Sequence, residues 1–233
     1  MAKKGKNIFW KIIRYSLIIF FGSSLFFTLL YKFVNPPVTP LMVKRYVEQI
    51  SDNERDVRFK RDYVSIEEIS PYLIRAAVAS EDNLFLQHRG FDFEQIKKAR
   101  EEAKKSKRKR GASTISQQCA KNVFLYPSRS WVRKGLEVYF TFLIETFWSK
   151  ERIMEVYLNV IEYGDGIYGA EAASQYYFNK PAKKLSKREA ALMVASFPNP
   201  LKRNPAKPTA YLNKRAAQIQ RLMDLIGEVR FEK

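Results

Sequence analysis

Residues 70–92, SPYLIRAAVASEDNLFLQHRGFD, place two adjacent carboxylates, Glu81 and Asp82, at the end of an apolar segment. A carboxylate held among apolar side chains can take a proton from a hydroxyl group as that group attacks, which is general-base chemistry. Negative charge is also disfavoured at the C-terminal end of a helix, so both effects favour proton acceptance by Glu81. The alternative is an ordinary helix end with its acids in solvent. The spacing continues as E-D-x-x-F-x-x-H-x-G-x-D, with its later members at Phe85, His88, Gly90 and Asp92.

A buried helix is predicted to carry these acids. Ser70 is a favourable N-cap residue, and Pro71 suits the first helical position. The following residues are mainly apolar at helical spacing, and they include Leu73, Ile74, Ala76, Ala77 and Val78. Glu81 comes one turn after this apolar group and is therefore predicted at the end of the helix.

A second group of chemically capable residues lies at 111–125, GASTISQQCAKNVFL. Ser113 is predicted to cap a helix beginning at Thr114, whose free N–H groups and dipole favour anions. The polar face of this helix is predicted to comprise Ser113, Gln117 and Lys121, which recur at intervals of one turn. The spacing is equally consistent with an ordinary amphipathic surface helix. The opposite face is predicted to be buried, and it contains Ile115, Cys119 and Val123.

The segment 128–150, SRSWVRKGLEVYFTFLIETFWSK, adds a third acid and further cations. Ser130 can cap a helix that carries Arg133 and Glu137 in its first turns and becomes strongly apolar afterwards. Because Arg133 and Glu137 lie one turn apart, an ordinary ion pair within the helix is the simplest interpretation. Arg129, just before the helix, contributes another positive charge.

Length and charge set limits on the function. The 233 residues suffice for one sizeable domain and an anchor, and the net charge of +18 indicates an anionic partner. Residues 97–110 contain nine Lys or Arg and two acids, with no aromatic side chains among them, which disfavours single-stranded nucleic acid as that partner. This stretch is either a solvated helix running into a loop or a patch facing phosphate or lipid headgroups.

Several other site types are excluded. The single Cys119 rules out an intramolecular disulfide, and no His or Cys cluster indicates a zinc site. His88 is the single histidine, so a Ser-His-Asp or Cys-His site would have to include it. No G-x-S-x-G motif supports such a site.

The N-terminal region predicts a membrane anchor. Residues 1–14 contain five basic residues and no acid, which predicts a cytoplasmic tail. The uncharged run that follows predicts a transmembrane anchor at 15–34, since about 20 apolar residues span a bilayer. A cleaved signal peptide is the alternative, but the run is long for one and no A-x-A-like site follows it. A proline-rich linker, 35–41, then leads to a single domain at 42–233, outside the membrane.

No long run of alternating apolar and polar residues is present, so this domain is predicted to be mainly α. Further helices are predicted around 43–50, from Ser149 onward, over 170–178, from a capping box of Ser186 and Glu189 to Ser196, and over 209–226. A short extended piece is expected near 57–64. Gly164, Gly166 and Gly169 predict a flexible turn.

Four ordered motifs between about residue 67 and residue 201 resemble the signatures of the peptidoglycan glycosyltransferases, which polymerise a lipid-linked disaccharide into cell-wall glycan. The first is the E-D-x-x-F-x-x-H-x-G pattern. The second is usually G-G-S-T-I-T-Q-Q, from which Ala112 and Ser116 depart without loss of a functional group. The third, R-K-x-x-E, ends at Glu137, and the fourth, S-K-x-x-I-x-x-x-Y-L-N, begins at Ser149.

The resemblance is to the short, monofunctional members of this family, and it implies a lysozyme-like α-helical catalytic lobe with a small membrane-associated lobe. In the implied reaction the 4-hydroxyl of acceptor lipid II attacks C1 of a lipid-linked glycan donor, C1 is inverted and undecaprenyl diphosphate leaves. The implied location is the inner (cytoplasmic) membrane, crossed once, with the N-terminus in the cytoplasm and the catalytic domain outside. Other cell-wall synthesis or division proteins could be partners, whereas nucleic acid is not expected.

The resemblance also implies roles for individual residues. Glu81 is the expected base, and Glu137 has a role on the donor side. The leaving diphosphate needs cationic stabilisation rather than a strong acid. Lys121, Arg129 and Arg133 could supply it. A divalent cation, Mg or Mn, at the diphosphate is left open, and no metal ligand is predicted in the protein. The residues expected to position phosphates and sugars are Asp82, Ser113, Gln117 and Gln118.

Two other functions are consistent with parts of the sequence. A lysozyme-like lytic enzyme that cleaves glycan would also use two carboxylates on an α-helical scaffold. It would not need the cations around Lys121, because the bond it cleaves has an uncharged leaving group. A membrane-anchored binding module would depend on charge alone and would tolerate substitution of Glu81.

Overall fold

The computed structural model describes residues 2–52, 54, 56–105 and 111–231. The chain forms two compact units, Met1–Asn35 and Pro36–Lys233. Part of the predicted basic stretch, Lys107, Arg108, Lys109 and Arg110, lies outside the described residues. The same is true of the side chains of Lys3, Lys4 and Lys6 in the predicted tail.

The first unit consists of one long helix, α1 (Ala2–Phe33). Its segment Ile8–Phe33, 26 residues, is long and apolar enough to cross a membrane. The helix begins well before residue 15 and includes most of the predicted cytoplasmic tail. The predicted boundaries of the tail and the anchor within this helix stay predictions.

The second unit is built mainly from helices, which confirms the predicted mainly α class. Within the described residues its α-helices are α2 (Pro40–Ile50), α3 (Pro71–Glu81), α4 (Phe93–Lys105), α5 (Ile115–Phe124), α6 (Trp131–Phe147), α7 (Lys150–Val160), α8 (Ala170–Phe178), α9 (Lys187–Ser196) and α10 (Ala210–Ile226). Two short 3₁₀ helices are also present, Ile66–Glu68 and Ala182–Lys184.

Most helix starts follow from local capping chemistry. The hydroxyls of Ser70, Ser130 and Ser149 accept backbone N–H groups at the starts of α3, α6 and α7, as predicted. Ser186 and Glu189 form the predicted capping box of α9. These side chains satisfy N–H groups that the first helical turn leaves unpaired, so a short sequence motif is sufficient to fix each start.

A small sheet accompanies the helices; its first strand lies within the extended piece predicted near 57–64, but the other strands and their pairing were not predicted. Strand β3 (Ile167–Tyr168) pairs in parallel with β1 (Lys60–Arg61) and antiparallel with β2 (Glu162–Gly164). Strands of two or three residues are too short to show alternation. The predicted turn joins β2 to β3, and Gly166 is required there. Its φ is 68°, and an added Cβ would lie 2.0 Å from the Arg58 carbonyl oxygen.

Two groups of packed helices form the core. Helix α5 packs against α6 and α7, while α3 packs against α9 and α10. On α10 the predicted inner face is buried at Leu212, Ala216, Ile219 and Met223, and half-buried at Leu222 and Ile226. Each group positions one part of the site, because Glu81 ends α3 and the residues that face it lie on α5.

Candidate active site

Glu81 is the last residue of α3, and its half-buried carboxylate is held by uncharged donors. The Gln118 Nε2 amide donates to Oε2 at 2.9 Å, and the Ser80 hydroxyl lies 3.4 Å from Oε1. The Tyr157 hydroxyl donates to Gln118 Oε1 at 3.3 Å, which fixes the orientation of that amide. Burial raises the pKa of Tyr157, so this hydroxyl remains a donor. The carboxylate is thus oriented without being neutralised by an ion pair.

Asp82 is buried, and both of its oxygens are engaged inside the protein. Oδ1 lies 2.8 Å from His88 Nε2, and Oδ2 accepts the Ile115 backbone N–H at 2.9 Å. His88 Nδ1 accepts the Gly90 N–H at 3.1 Å, so the neutral ring carries its proton on Nε2 and donates to Asp82. These bonds fasten the end of α3 to the start of α5. Asp82 thus holds Glu81 opposite α5, and its predicted contact with substrate stays a prediction.

The start of α5 differs from the prediction by one residue. Thr114, not Ser113, is the N-cap, and it forms a capping box with Gln117. Gln117, 3 % exposed, is therefore part of the helix start and does not lie on an open face. The prediction that Gln117 lies on an open polar face with Ser113 and Lys121 is therefore wrong. The residues on this side of the segment that line a cleft are Gln118, Lys121, Asn122 and Leu125.

A cleft of about 360 Å³ runs along this open face of α5. The wall is strongly cationic, and the acid Glu162 is also part of it. The charged and polar side chains that line the cleft are Arg45, Gln118, Lys121, Asn122, Ser128, Arg129, Arg133 and Glu162. The other lining residues are Leu41, Leu125, Pro127, Ile161, Phe197 and Pro200. Gln118 both lines the cleft and holds Glu81, so the carboxylate lies beside the cationic wall.

Two of these cations are available for an anion. Within the part of the chain that the structure describes, neither Lys121 nor Arg129 forms an ion pair. Burial lowers the pKa of Lys121, the neighbouring cations Arg133 and Lys134 lower it further, and the acids Glu137 and Glu81 oppose this shift. A poorly solvated, unpaired ammonium group is one that a phosphate would stabilise.

Glu137 differs from Glu81 in being neutralised. It is 3 % exposed, and its Oε2 lies 2.7 Å from Arg133 Nη1, while Oε1 binds Lys134. The helical ion pair expected from the spacing is therefore present. Arg133 lines the cleft and Glu137 does not, so Glu137 reaches the cleft through the guanidinium that it orients.

Comparison with known proteins agrees with this geometry. Residues 46–224 match the sequence model of a family described as Transglycosylase. The chain belongs to the transglycosylase family. A relative from Bacteroides thetaiotaomicron, named biosynthetic peptidoglycan transglycosylase, is 58% identical over 219 residues, which is 93% of this chain and 88% of the relative.

Two further relatives carry the same name. One, from Bdellovibrio bacteriovorus, is 53% identical over 88% of this chain and 81% of its own length. The other, from Mannheimia succiniciproducens, is 46% identical over 97% of this chain and 92% of its own length. The similarity therefore extends over most of the chain and beyond the four signatures.

Two charged residues of this transglycosylase cleft were not predicted from the sequence. Arg45 on α2 and Glu162 on β2 form an ion pair, with Arg45 Nε 3.1 Å from Glu162 Oε1, and Arg45 Nη1 also contacts Glu48 at 2.9 Å. Burial raises the pKa of Glu162 to about 7, although Arg45 opposes the shift. Arg45 lies before the first signature and Glu162 after the fourth, so no motif drew attention to them.

The described residues contain no group of three or more His, Cys, Asp or Glu side chains that could hold a metal ion. The protein thus offers no ready-made ligand set of that kind in the part of the chain that is described. A divalent cation bound at the diphosphate stays a prediction, and its ligands would come largely from the phosphate oxygens.

Proposed function

We propose that this transglycosylase polymerises lipid II into peptidoglycan glycan strands. The observation that carries the proposal is the arrangement on α5, where Gln118, which holds Glu81, precedes the unpaired Lys121 by one turn. One helix therefore both holds the proton acceptor, through Gln118, and carries an unpaired cation, Lys121. This is the pairing required by a reaction with a weak nucleophile and a diphosphate leaving group.

In the proposed reaction, Glu81 takes the proton of the acceptor's 4-hydroxyl as that oxygen attacks C1 of the donor glycan. The new bond forms between the hydroxyl oxygen and C1, and the bond from C1 to the diphosphate oxygen breaks with inversion at C1. The electron pair leaves with undecaprenyl diphosphate. Lys121 and Arg129 stabilise the negative charge that develops on this leaving group.

Glu137 has an indirect part in this scheme. Its bonds to Arg133 and Lys134 hold two cations close to Lys121, and Arg133 reaches the cleft. Because this buried acid contacts both cations, it offsets the repulsion between them and keeps them in place. We therefore assign Glu137 the role of organising the donor side.

The lytic alternative accounts less well for the cleft. Hydrolysis of a bond between sugars produces an uncharged hydroxyl leaving group, which needs a proton donor. Unpaired Lys121 and Arg129 do not stabilise such a group, whereas a diphosphate requires them. The charge of the cleft therefore favours transfer from a lipid diphosphate.

Membrane attachment fits the same proposal. Helix α1 would span the inner membrane, and the basic residues before it would keep its N-terminus in the cytoplasm. The second unit also exposes large apolar side chains that could enter the lipid surface, namely Phe93, Tyr126, Trp131, Val132 and Phe142.

The orientation of the anchor can be tested with a reporter. A reporter that is active only outside the cytoplasm should work when fused after Pro40. Activity of a cytoplasmic reporter at that position instead would contradict the orientation.

The reaction is tested by incubating the purified full-length chain with fluorescent lipid II and separating the products on a gel. We expect a ladder of long glycans that disappears on treatment with muramidase. Preformed glycan added in place of lipid II should remain intact. Shortening of that glycan, without extension of lipid II, would establish the lytic alternative.

A further inference from the structure

Arg215, on the C-terminal helix α10, reaches the end of α3 beside Glu81. Its Nη2 donates to the Ser80 hydroxyl at 3.1 Å, across a sequence separation of 135 residues. Arg215 is half-buried, and among the described residues it forms no ion pair with a carboxylate. None of the four signatures includes this residue.

Ser80 connects Arg215 to the carboxylate. The serine oxygen accepts from the guanidinium, so its single proton is free to point toward Glu81 Oε1, 3.4 Å away. This second contact is long for an O–H···O bond, which makes the hydroxyl a loose restraint. Arg215 fixes the Ser80 oxygen, and through it limits where Glu81 Oε1 can lie.

Glu81 thus has different neighbours on its two sides. Gln118 on α5, backed by Tyr157 on α7, holds Oε2, and Lys121 on α5 contributes a positive charge from the cleft. Arg215 approaches the other side from α10. Glu81 is therefore restrained from α5 through Gln118 and from α10 through Ser80 and Arg215.

We propose that Arg215 is a positioning residue for Glu81, which keeps that carboxylate oriented through Ser80 at the oxygen that Gln118 does not hold. The inference rests on the proposed role of Glu81 as base. It assigns no contact between Arg215 and substrate, because Arg215 is not part of the cleft wall. Its loss should therefore lower kcat and leave the KM for lipid II unchanged.

The test compares Arg215→Gln, Arg215→Lys and the matched control Arg221→Gln in the full-length chain, with lipid II as substrate. Arg221 lies on the same helix with its side chain in solvent. A misplaced catalytic group can cost about 100-fold in rate, so we expect kcat to fall about 10- to 100-fold in Arg215→Gln. Arg215→Lys keeps the charge and should retain most of kcat, and Arg221→Gln should match the wild type.

The division between kcat and KM separates positioning from a purely structural role. Arg215→Gln should lower kcat and leave the KM for lipid II and the melting temperature unchanged, and Arg221→Gln should change none of the three. If Arg215→Gln lowers the melting temperature, Ser80→Ala serves as the second variant, because it removes the hydroxyl that connects Arg215 to Glu81. It should lower kcat by a few-fold and leave the KM for lipid II unchanged.

The inference fails if Arg215→Gln has the kcat of the wild type, or if the Arg221 control loses as much activity. It also fails if Arg215→Lys is as impaired as Arg215→Gln. Glu81→Gln, assayed in parallel, distinguishes these results from failure of the proposed function. If the Glu81→Gln enzyme is active, Glu81 is not the base and the proposed function fails. If Glu81→Gln is inactive and Arg215→Gln has normal activity, only the positioning role of Arg215 fails.

Discussion

Glu81 on α3 and Glu137 on α6 are carboxylates of one domain, and their surroundings are opposite. Glu81 ends its helix, is half-buried and accepts hydrogen bonds from uncharged groups. Glu137 lies inside its helix, is almost fully buried and contacts two cations. Burial alone does not distinguish a base from a structural acid. What matters is whether the neighbours leave the carboxylate able to accept a proton.

Lys121 links the two acids. Both act on it electrostatically, and it belongs to the cleft wall beside the residue that holds Glu81. The donor side therefore has an excess of positive charge, with one buried acid compensating two cations. The acceptor side has one carboxylate that is not neutralised. Substitution of the acids and of the unpaired cations tests this division of charge.

The largest effect is expected from Glu81→Gln. The amide keeps the size of the side chain and can still accept from Gln118, but it cannot take the acceptor's proton. Polymerisation of lipid II should fall by at least about 100-fold, the lower end of what general-base catalysis contributes. The melting temperature should stay close to that of the wild type, and the exposed Glu94→Gln is the matched control. Near-normal polymerisation by Glu81→Gln would exclude it as the base.

Removal of the unpaired cations should have the next largest effect. Lys121→Ala or Arg129→Ala should each cost about 2–4 kcal/mol of transition-state stabilisation, measured as a loss of kcat/KM with lipid II. Lys97, Lys98 and Lys104 provide the control, because they lie on exposed α4 outside the cleft. Substituting these three together should weaken only long-range attraction, with an effect that shrinks as salt rises. A Lys121 variant that polymerises normally would contradict the assignment of the leaving-group site.

Glu137→Gln should act on stability as well as on rate. The amide leaves Arg133 and Lys134 without a compensating charge, and hydrogen bonds to charged groups contribute about 2 kcal/mol each. For a chain of this size each bond lost lowers the melting temperature by about 4–8 °C. Thermal unfolding in detergent measures it, with Glu81→Gln as the comparison. Equal melting temperatures for the two variants would remove the distinction drawn between the two acids.

The smallest effect is expected from substitution of Glu162. Its surroundings are intermediate between those of Glu81 and Glu137, because it is buried but paired with one cation. Burial raises its pKa from 4.5 to about 7 in the folded chain, so between these values the folded state holds a proton that the unfolded state has lost. The free energy of unfolding should therefore fall as the pH rises from about 5 to 8, by on the order of 1–3 kcal/mol. Glu162→Gln should flatten this fall in thermal unfolding at the two pH values. An unchanged slope would show that Arg45 keeps Glu162 ionised throughout.

The sequence by itself determined the helices and the identity of the central acid. Ser70 with Pro71, Ser130, Ser149 and the Ser186 capping box each fix a helix start through contacts within one turn, so their outcome depends little on the rest of the chain. Glu81 follows at the end of the first such helix. The motif spacing also indicated the family that the comparisons then identified.

The tertiary structure decided which side chains face the cleft. Thr114 in place of Ser113 is the N-cap, and Gln117 is engaged in its capping box, so the glutamine that faces the cleft is Gln118, about 100° further around the helix. Packing of α5 against α6 and α7 selects the face that stays open. The sequence offered two neighbouring hydroxyl caps and two neighbouring glutamines, and local chemistry could not choose between them.

Contacts between distant segments were likewise beyond the sequence. Asp82 is internal because His88 and the start of α5 meet it, Arg45 and Glu162 pair across 117 positions, and Arg215 reaches Ser80 from the last helix. Each contact depends on how helices pack, which is set by the whole buried surface and not by spacing along one segment. The chain's local signals therefore specify the catalytic helix, and only its folding specifies the surroundings that make Glu81 and Glu137 different.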